Sequence, residues 1–464
     1  MMNIKELYEL YRQHPCITTD SRDCPAGSIF IALKGENFNG NRFAQQALEK
    51  GCAYAIVDEA PLNPPEGGKL ILVDDCLKTL KLLAREHRRQ FDIPVIAITG
   101  TNGKTTTKEL VRAVLGEKYN VLATEGNFNN DVGVPKTLLR LKPEHEIAII
   151  EMGASHPGDI KTLAETAEPT CGLITNVGRA HLQGFGSFEG VVKTKGELYD
   201  YLRTRQDALV FVDADNDHLV DMISDDMWVT PYSTDPQKQY SCISGVAGDS
   251  PLLRFKWRKP LMELEESGES QKWHKVQTQL VGNYNIKNAL AAIAVGINFG
   301  VERKAICHAL ESYRPTNNRS QLVQTAHNTL IVDAYNANPT SMAAAIDNFC
   351  QLPLAPLAPL GSLGSLGQLA PSAPSKKMLI LGDMRELGAD SAAEHQQLVD
   401  MVATTGVSDV WLVGQEFAKT HCDYRKFGSV DDVKAELQRQ RPDGRLILIK
   451  GSNGTRLYEL PPLL

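Results

Sequence analysis

Two glycines, a lysine, an asparagine and three hydroxyl residues stand close together as Gly100, Thr101, Asn102, Gly103, Lys104, Thr105 and Thr106. An apolar, β-branched run precedes them at 94–98, and a helix-like run follows at 108–115. Strand, glycine loop, Lys-Thr and helix in that order suit a polyphosphate. Glycines let backbone N–H groups approach phosphate oxygens, and the helix N-terminus adds partial positive charge. Lys104 can reach the terminal phosphates, and the Thr105 hydroxyl can join a Mg2+ shell. The usual P-loop has four residues between its glycines, whereas here only Thr101 and Asn102 intervene. A plain glycine turn beside a solvated lysine is the bland alternative, and the strand and helix context argues against it.

Further residues with chemical potential follow other apolar runs. Glu151 ends the run 147–152 ahead of Gly153, so its carboxylate can reach the same sheet edge. Mg2+ takes oxygen ligands and keeps several waters, so one or two carboxylates with substrate phosphates suffice. A glutamate that merely starts a helix is the alternative. His181 follows 175–178 at the mouth of the next strand. A lone histidine is more often structural, but this edge favours a role. Lys195 lies in a helical segment, 193–198, and on composition alone it is a solvated lysine indistinguishable from Lys193. The Asp, Asn and Thr side chains of 333–340 either bind a ribose or base or cap the next helix. Residues 450–454 form an anion site or a turn. No Ser/His or Cys/His arrangement suggests a side-chain nucleophile.

These residues need scaffolding, and 464 residues are too many for one core; about two to four domains are expected. Hydrophobic content of 42% and charged content of 23% are ordinary for a soluble globular protein. A formal charge of -7 argues against a general nucleic-acid partner. Nine scattered cysteines without a CxxC pair fit reduced thiols. The N-terminus lacks a signal-peptide core, and no apolar run approaches the ~20 residues of a membrane span. A soluble, cytoplasmic protein is expected.

The first region, up to about residue 85, carries short strand-like runs at 28–33, 53–57 and 69–73, with an amphipathic stretch at 42–50. It reads as a small α/β domain. In the second region, 95–99, 147–152, 172–176 and 208–212 are continuously apolar, with helical segments between them. Continuous apolarity marks parallel strands covered on both faces, and the alternation gives a doubly wound sheet that binds ligands beyond its strand C-termini. Residues 228–279 suggest antiparallel strands, and an Ala-rich helix is expected at 288–298. The third region repeats the theme at 330–333, 378–381, 410–413 and 446–449, predicting a smaller Rossmann-like domain. It is interrupted by a Pro/Gly-rich tract at 353–375, read as a flexible surface insertion.

The shortened phosphate loop resembles that of the Mur ligases and folylpolyglutamate synthases. Segments 126–135, 151–154, 176–182, 333–339 and 382–388 also resemble Mur ligases, and the resemblance runs from about 18 to 456. The Asn-Phe-Asn-Asn segment at 127–130 and the segment 382–388 discriminate within the family. They point to the branch that joins D-alanyl-D-alanine to UDP-N-acetylmuramoyl-tripeptide.

The resemblance implies a UDP-substrate-binding domain at 1–88, a central ATP-binding domain at 89–313 and a C-terminal Rossmann-like ligase domain at 314–464. It implies that Gly100, Thr101, Asn102, Gly103, Lys104, Thr105 and Thr106 hold the ATP phosphates. Thr105, Glu151, His181 and Lys195 would ligate a pair of Mg2+ ions, with Lys195 carbamylated by CO2. Lys104, Lys195, His181 and Glu151 would carry catalysis. Asn285, Asn288, Arg319, Asp333 and Tyr335 would contact nucleotide, and Ser21, Arg22, Asn127, Asn129 and Asn130 would contact the UDP-linked substrate. Tyr284 stands where the family often has His. A monomer that activates a carboxylate as an acyl phosphate in peptidoglycan precursor synthesis is therefore expected. The rivals are a folylpolyglutamate synthase, a Mur ligase adding the third residue, and a non-catalytic nucleotide-binding protein. A GTPase is disfavoured by the short loop and the lack of an Asn-Lys-x-Asp motif.

Overall fold

The computed structural model of the chain describes residues 3–60, 68–180, 182–248, 252–268, 270–315, 319–354 and 374–464. His181 and residues 355–373 of the expected insertion lie outside the described residues. The apolar runs form three main sheets, each with helices packed on it. In the first region Ile17–Thr18, Ile29–Ile31, Tyr54–Val57 and Leu70–Leu72 lie side by side, all parallel. The helix Ile4–Gln13, which the sequence reading did not anticipate, opens with a reciprocal Asn3–Glu6 capping box and buries Leu7, Tyr8 and Tyr11.

The central sheet has nine strands. From one edge they are His274–Val281, Leu252–Arg258, Ile243–Ala247, Trp228–Ser233, Leu209–Asp213, Cys171–Ile174, Val95–Thr99, Ile147–Glu151 and Val121–Ala123. Neighbours are parallel from Ile243–Ala247 to Val121–Ala123, and Leu252–Arg258 pairs antiparallel with both Ile243–Ala247 and His274–Val281. The antiparallel expectation for 228–279 is thus corrected for its first half. Trp228–Ser233 runs from two exposed residues to two buried ones, so it lacks the uniform apolarity that marks an inner parallel strand.

Val95–Thr99 is buried throughout, for a physical reason visible in its alternation. Val95 and Ala97 face one core with Ile160, Leu198 and Leu202. Ile96 and Ile98 face the other, with Leu110, Val111 and Val114 of helix Lys104–Gly116 and with helix Ile286–Asn298. Both sides of the pleat are apolar because both are covered. From this strand the chain passes first to Val121–Ala123 and Ile147–Glu151 on one side, then to Cys171–Ile174 on the other. That reversal opens a crevice at the strand C-termini.

The third sheet is ordered Gln321–Gln324, Thr329–Asp333, Arg445–Lys450, Lys376–Gly382, Asp409–Val413 and Arg425–Phe427, parallel except for its first strand. The first and central sheets meet along helix Cys76–Arg88. Tyr11 donates its hydroxyl to Leu139 O at 2.6 Å, and Arg88 donates to Phe91 O at 2.6 Å and to Ala167 O at 3.3 Å.

His87 sits in this junction with both ring nitrogens engaged. Its Nε2 is 3.0 Å from Leu141 O, and its Nδ1 is 3.1 Å from the Tyr8 hydroxyl. The carbonyl needs a donor, so Nε2 carries the proton and Nδ1 accepts from Tyr8. Burial lowers the pKa of His87, against a smaller opposing effect of the Leu141 carbonyl. The unfolded chain therefore takes up this proton first as the pH falls below about 6.5, and the folded state loses stability there. Denaturation midpoints should drop between about pH 7 and 5.5, and His87→Gln should flatten that slope. Equal slopes for the two proteins would exclude His87 as its source.

Candidate functional site

The phosphate loop leaves Val95–Thr99 at Gly100 and enters helix Lys104–Gly116 at Gly103. Gly100 has φ +138° and Gly103 has φ +79°, a region that side-chain-bearing residues adopt at a cost. A Cβ on Gly103 would lie 2.5 Å from Asn288 Oδ1. No side chain caps this helix, so its first N–H groups are available to a ligand. The segment after Cys171–Ile174 braces the loop from below. Thr101 N donates to Asn176 O at 3.0 Å, Asn102 N donates to Asn176 Oδ1 at 3.0 Å, and Thr175 Oγ1 donates to Asn102 O at 2.6 Å. Lys104 folds back over the loop, its Nζ donating to Gly100 O at 2.7 Å and to Thr101 O at 3.0 Å. Burial lowers its pKa to about 8; Glu151 opposes the shift and Arg319 adds to it. A bound polyphosphate would hold this ammonium charged.

Below the loop lies Glu151, at the C-terminal end of Ile147–Glu151 and only 2% exposed. Its Oε1 accepts from Thr105 Oγ1 at 3.1 Å and from Asn129 Nδ2 at 2.9 Å. Its Oε2 is buried with no hydrogen-bond partner among the described residues. A buried, unpaired carboxylate oxygen is unfavourable by itself, and a divalent cation satisfies it. No cluster of three or more His, Cys, Asp or Glu occurs among the described residues. One carboxylate, one hydroxyl and substrate phosphates form the sparse oxygen shell that suits Mg2+. Lys195, from helix Phe188–Arg203, is 2% exposed with Nζ 5.3 Å from the centroid of the Phe185 ring. Burial, and secondarily the charge of Lys104, lowers its pKa to about 7.

The loop, Glu151 and Asn129 line a cavity of about 850 Å³ whose wall also includes Arg319, Asp333, Tyr335 and Lys450 from the third sheet. The Arg319 guanidinium stacks 4.0 Å from the Tyr335 ring centroid, and Arg319 Nε has no partner among the described residues. Lys450, expected as part of an anion site or a turn, donates to Asp333 Oδ2 at 2.5 Å. Asn285 and Asn288 join the two helices over the loop: Thr107 Oγ1 donates to Asn288 Oδ1, Asn288 Nδ2 to Asn285 Oδ1, and Asn285 Nδ2 to Val281 O, at 3.1, 2.9 and 2.8 Å. Tyr284 shares a 2.7 Å hydrogen bond with Ser320.

Not every expected residue converges here. Asn130 lines the cavity and also caps Gly133 N at 2.8 Å, whereas Asn127 is not part of the wall. Ser21 and Arg22 belong to the first region: Lys50 Nζ reaches Ser21 O at 2.7 Å, and Arg22 pairs with Asp20 at 2.7 Å. The sequence reading missed Lys287, whose Nζ bonds Asp213 Oδ1 at 2.6 Å and also reaches Asp215. Asp213 ends Leu209–Asp213 at the ligand edge, which was the available signal.

Comparison with known proteins bears on this geometry. Residues 15–88 match "Mur ligase family, catalytic domain", 98–296 match "Mur ligase middle domain", and 318–453 match "Mur ligase, glutamate ligase domain". The chain is similar to the UDP-N-acetylmuramoyl-tripeptide--D-alanyl-D-alanine ligase of Bacillus subtilis, at 34% identity over 460 residues covering 96% of this chain and 92% of the relative. It is also 34% identical, over 405 residues, to the Escherichia coli ligase of the same name, covering 86% of this chain and 81% of the relative. A crystal structure of MurF from Acinetobacter baumannii superposes with a TM-score of 0.81 at 28% identity, covering 97% of this chain and 96% of that one. The Thermotoga maritima MurF ligase in complex with ADP shares the fold, with a TM-score of 0.79 at 23% identity over 100% of this chain and 98% of that one.

The loop geometry makes one substitution diagnostic. Gly103→Ala combines a left-handed φ with the contact to Asn288, together costing about 1–2 kcal/mol or more. Calorimetric titration with ATP should show affinity reduced at least about tenfold, with an unchanged far-UV spectrum. Unaltered affinity would mean that the loop does not hold the phosphates.

Proposed function

The chain belongs to the Mur ligase family, and we propose that it joins D-alanyl-D-alanine to UDP-N-acetylmuramoyl-tripeptide at the expense of ATP. The observation that carries this reading is similarity over nearly the whole chain to ligases of that name. The arrangement of Gly103, Lys104, Thr105 and Glu151 supports it.

In the reaction, a terminal carboxylate oxygen of the tripeptide attacks the γ-phosphorus, the bond to the ADP oxygen breaks, and an acyl phosphate forms. The amine of D-alanyl-D-alanine then attacks the acyl carbon and phosphate leaves. An anion approaching an anionic phosphoryl group sets the electrostatic difficulty of the first step. Lys104 lies within four residues of both carbonyls it caps, so turning toward the phosphates exchanges two neutral acceptors for charged ones. The uncapped helix N-terminus stabilises the same charge without reorganisation. Mg2+ held by Thr105 and Glu151, with His181 and Lys195 contributing, would neutralise phosphate charge and fix in-line geometry. Arg319, Asp333 and Tyr335, on the opposite wall of the cavity, would take ATP phosphate, ribose and base, and closure of the two sheets on ATP would exclude water.

Lys195 is a reasonable site for carbamylation. Its burial favours the neutral amine, which attacks CO2 through nitrogen and loses a proton to give a carbamate. The product is anionic and offers oxygen where the lysine offered an ammonium. A cytoplasmic location suits the supply of ATP and UDP-linked substrates, and no helix among the described residues is long and apolar enough to cross a membrane.

The paired assay is ADP release with UDP-N-acetylmuramoyl-tripeptide and D-alanyl-D-alanine, against folate with glutamate and against the third-residue reaction. Turnover is expected with the first pair only. Turnover confined to either other pair would reassign the chain to a sister activity. Lys195→Ala should lower the rate by about 10²-fold or more, and a short carboxylate should partly restore it. Wild-type turnover in that variant would remove Lys195 from the site.

A further inference from the structure

The segment 333–340 holds a residue that neither phosphate binding nor nucleoside contact absorbs. Asn338 is 4% exposed and caps helix Pro339–Gln351. Its Oδ1 accepts from Ser341 N at 2.8 Å, and its own N–H donates to Ser341 Oγ at 3.1 Å. The side chain is therefore held in one rotamer. Its remaining donor, Nδ2, crosses to the phosphate loop and meets Asn102 Oδ1 at 2.8 Å, while Asn102 Nδ2 returns to Asn338 Oδ1 at 3.5 Å.

Asn102 lies between the two loop glycines, and its backbone is already committed. The N–H goes to Asn176 Oδ1, and the carbonyl accepts from Thr175 Oγ1 and Asn176 Nδ2. Only its side chain faces the other sheet. The same seam brings Thr340 Oγ1 to 3.5 Å from where a Cβ on Gly178 would stand.

We propose that Asn338 is a positioning residue for phosphoryl transfer, registering the C-terminal sheet on the phosphate loop through its amide pair with Asn102. The proposal rests on the ligase reading for its reaction. With the sheets docked, the loop apex is held from both sides and its N–H groups converge in fixed directions. With them apart, the Asn102 side chain turns to water and that constraint is lost. The loop can hold the ATP phosphates without the pair, although the nucleotide contacts from the third sheet weaken with it, whereas in-line transfer needs the docked geometry. The effect therefore falls more on kcat than on KM for ATP.

Asn338→Ser tests this cleanly, because serine is a good helix cap but too short to reach Asn102. In the full-length protein, Asn338→Ser should lower kcat about tenfold and raise KM for ATP by a smaller factor, and Asn102→Ala should lower kcat as far. The double variant should be no slower than the worse single one, since both remove the same pair. Small-angle scattering with a non-hydrolysable ATP analogue should show compaction of the wild type and not of Asn338→Ser. Wild-type kcat in Asn338→Ser, losses that multiply in the double variant, or equal compaction would each overturn the proposal. Absence of wild-type turnover would instead contradict the ligase reading, and the scattering comparison would still decide the role of Asn338.

Discussion

A single carboxylate oxygen organises this site. Glu151 sits at the end of an inner strand, almost fully buried, with one oxygen tied to Thr105 and Asn129 and the other unpaired among the described residues. In a folded interior that arrangement is unfavourable until something positive arrives. The surroundings are built so that the arrival is a cation with a polyphosphate. Thr105 stands at the start of the phosphate-loop helix, so the group that fixes Glu151 is also the group that would share its metal. Thr124 holds the strand in place by accepting from Glu151 N at 3.0 Å. Lys108, buried on the same helix, donates to Thr124 O at 2.6 Å. A displacement of the helix would therefore be felt at the carboxylate.

The rest of the architecture serves to bring chemistry to that oxygen from two directions. The central sheet supplies the loop, and the third sheet supplies Arg319, Tyr335, Asp333 and Lys450 along the opposite wall. The Asp333–Lys450 pair joins the ends of adjacent strands, Thr329–Asp333 and Arg445–Lys450, so that wall is itself braced. Across the seam the Asn102–Asn338 pair stands beside apolar contacts that Leu252 and Val281 make with the core of the third sheet. A site walled by two sheets can enclose ATP from both sides.

Much of this was legible in the sequence because its causes are local. Residues 95–98 are apolar at every position since alternate residues face two different cores, and the glycine spacing reports a loop that must adopt positive φ. The placement of Glu151 followed from reading the strand ends as one edge. What escaped has non-local causes. The Lys287–Asp213 pair joins residues 74 positions apart, and nothing near either residue announces the other. Asn285 and Asn288 line the cavity, but the hydrogen bond that ties Asn288 to Thr107 spans 181 positions and has no local signal. Helix Ile4–Gln13 escaped because its buried face is carried largely by two tyrosines amid charges. Strand direction in 228–247 depends on where crossovers land, which periodicity does not encode.

The role of Glu151 Oε2 is open to direct examination in a crystal structure with a non-hydrolysable ATP analogue and Mg2+. The expected result is a Mg2+ ion about 2.1 Å from Glu151 Oε2, with the Thr105 hydroxyl in its shell and the phosphates on the N–H groups of Gly103 and Lys104. Nucleotide bound with its metal elsewhere, and Glu151 Oε2 still without a ligand, would contradict it.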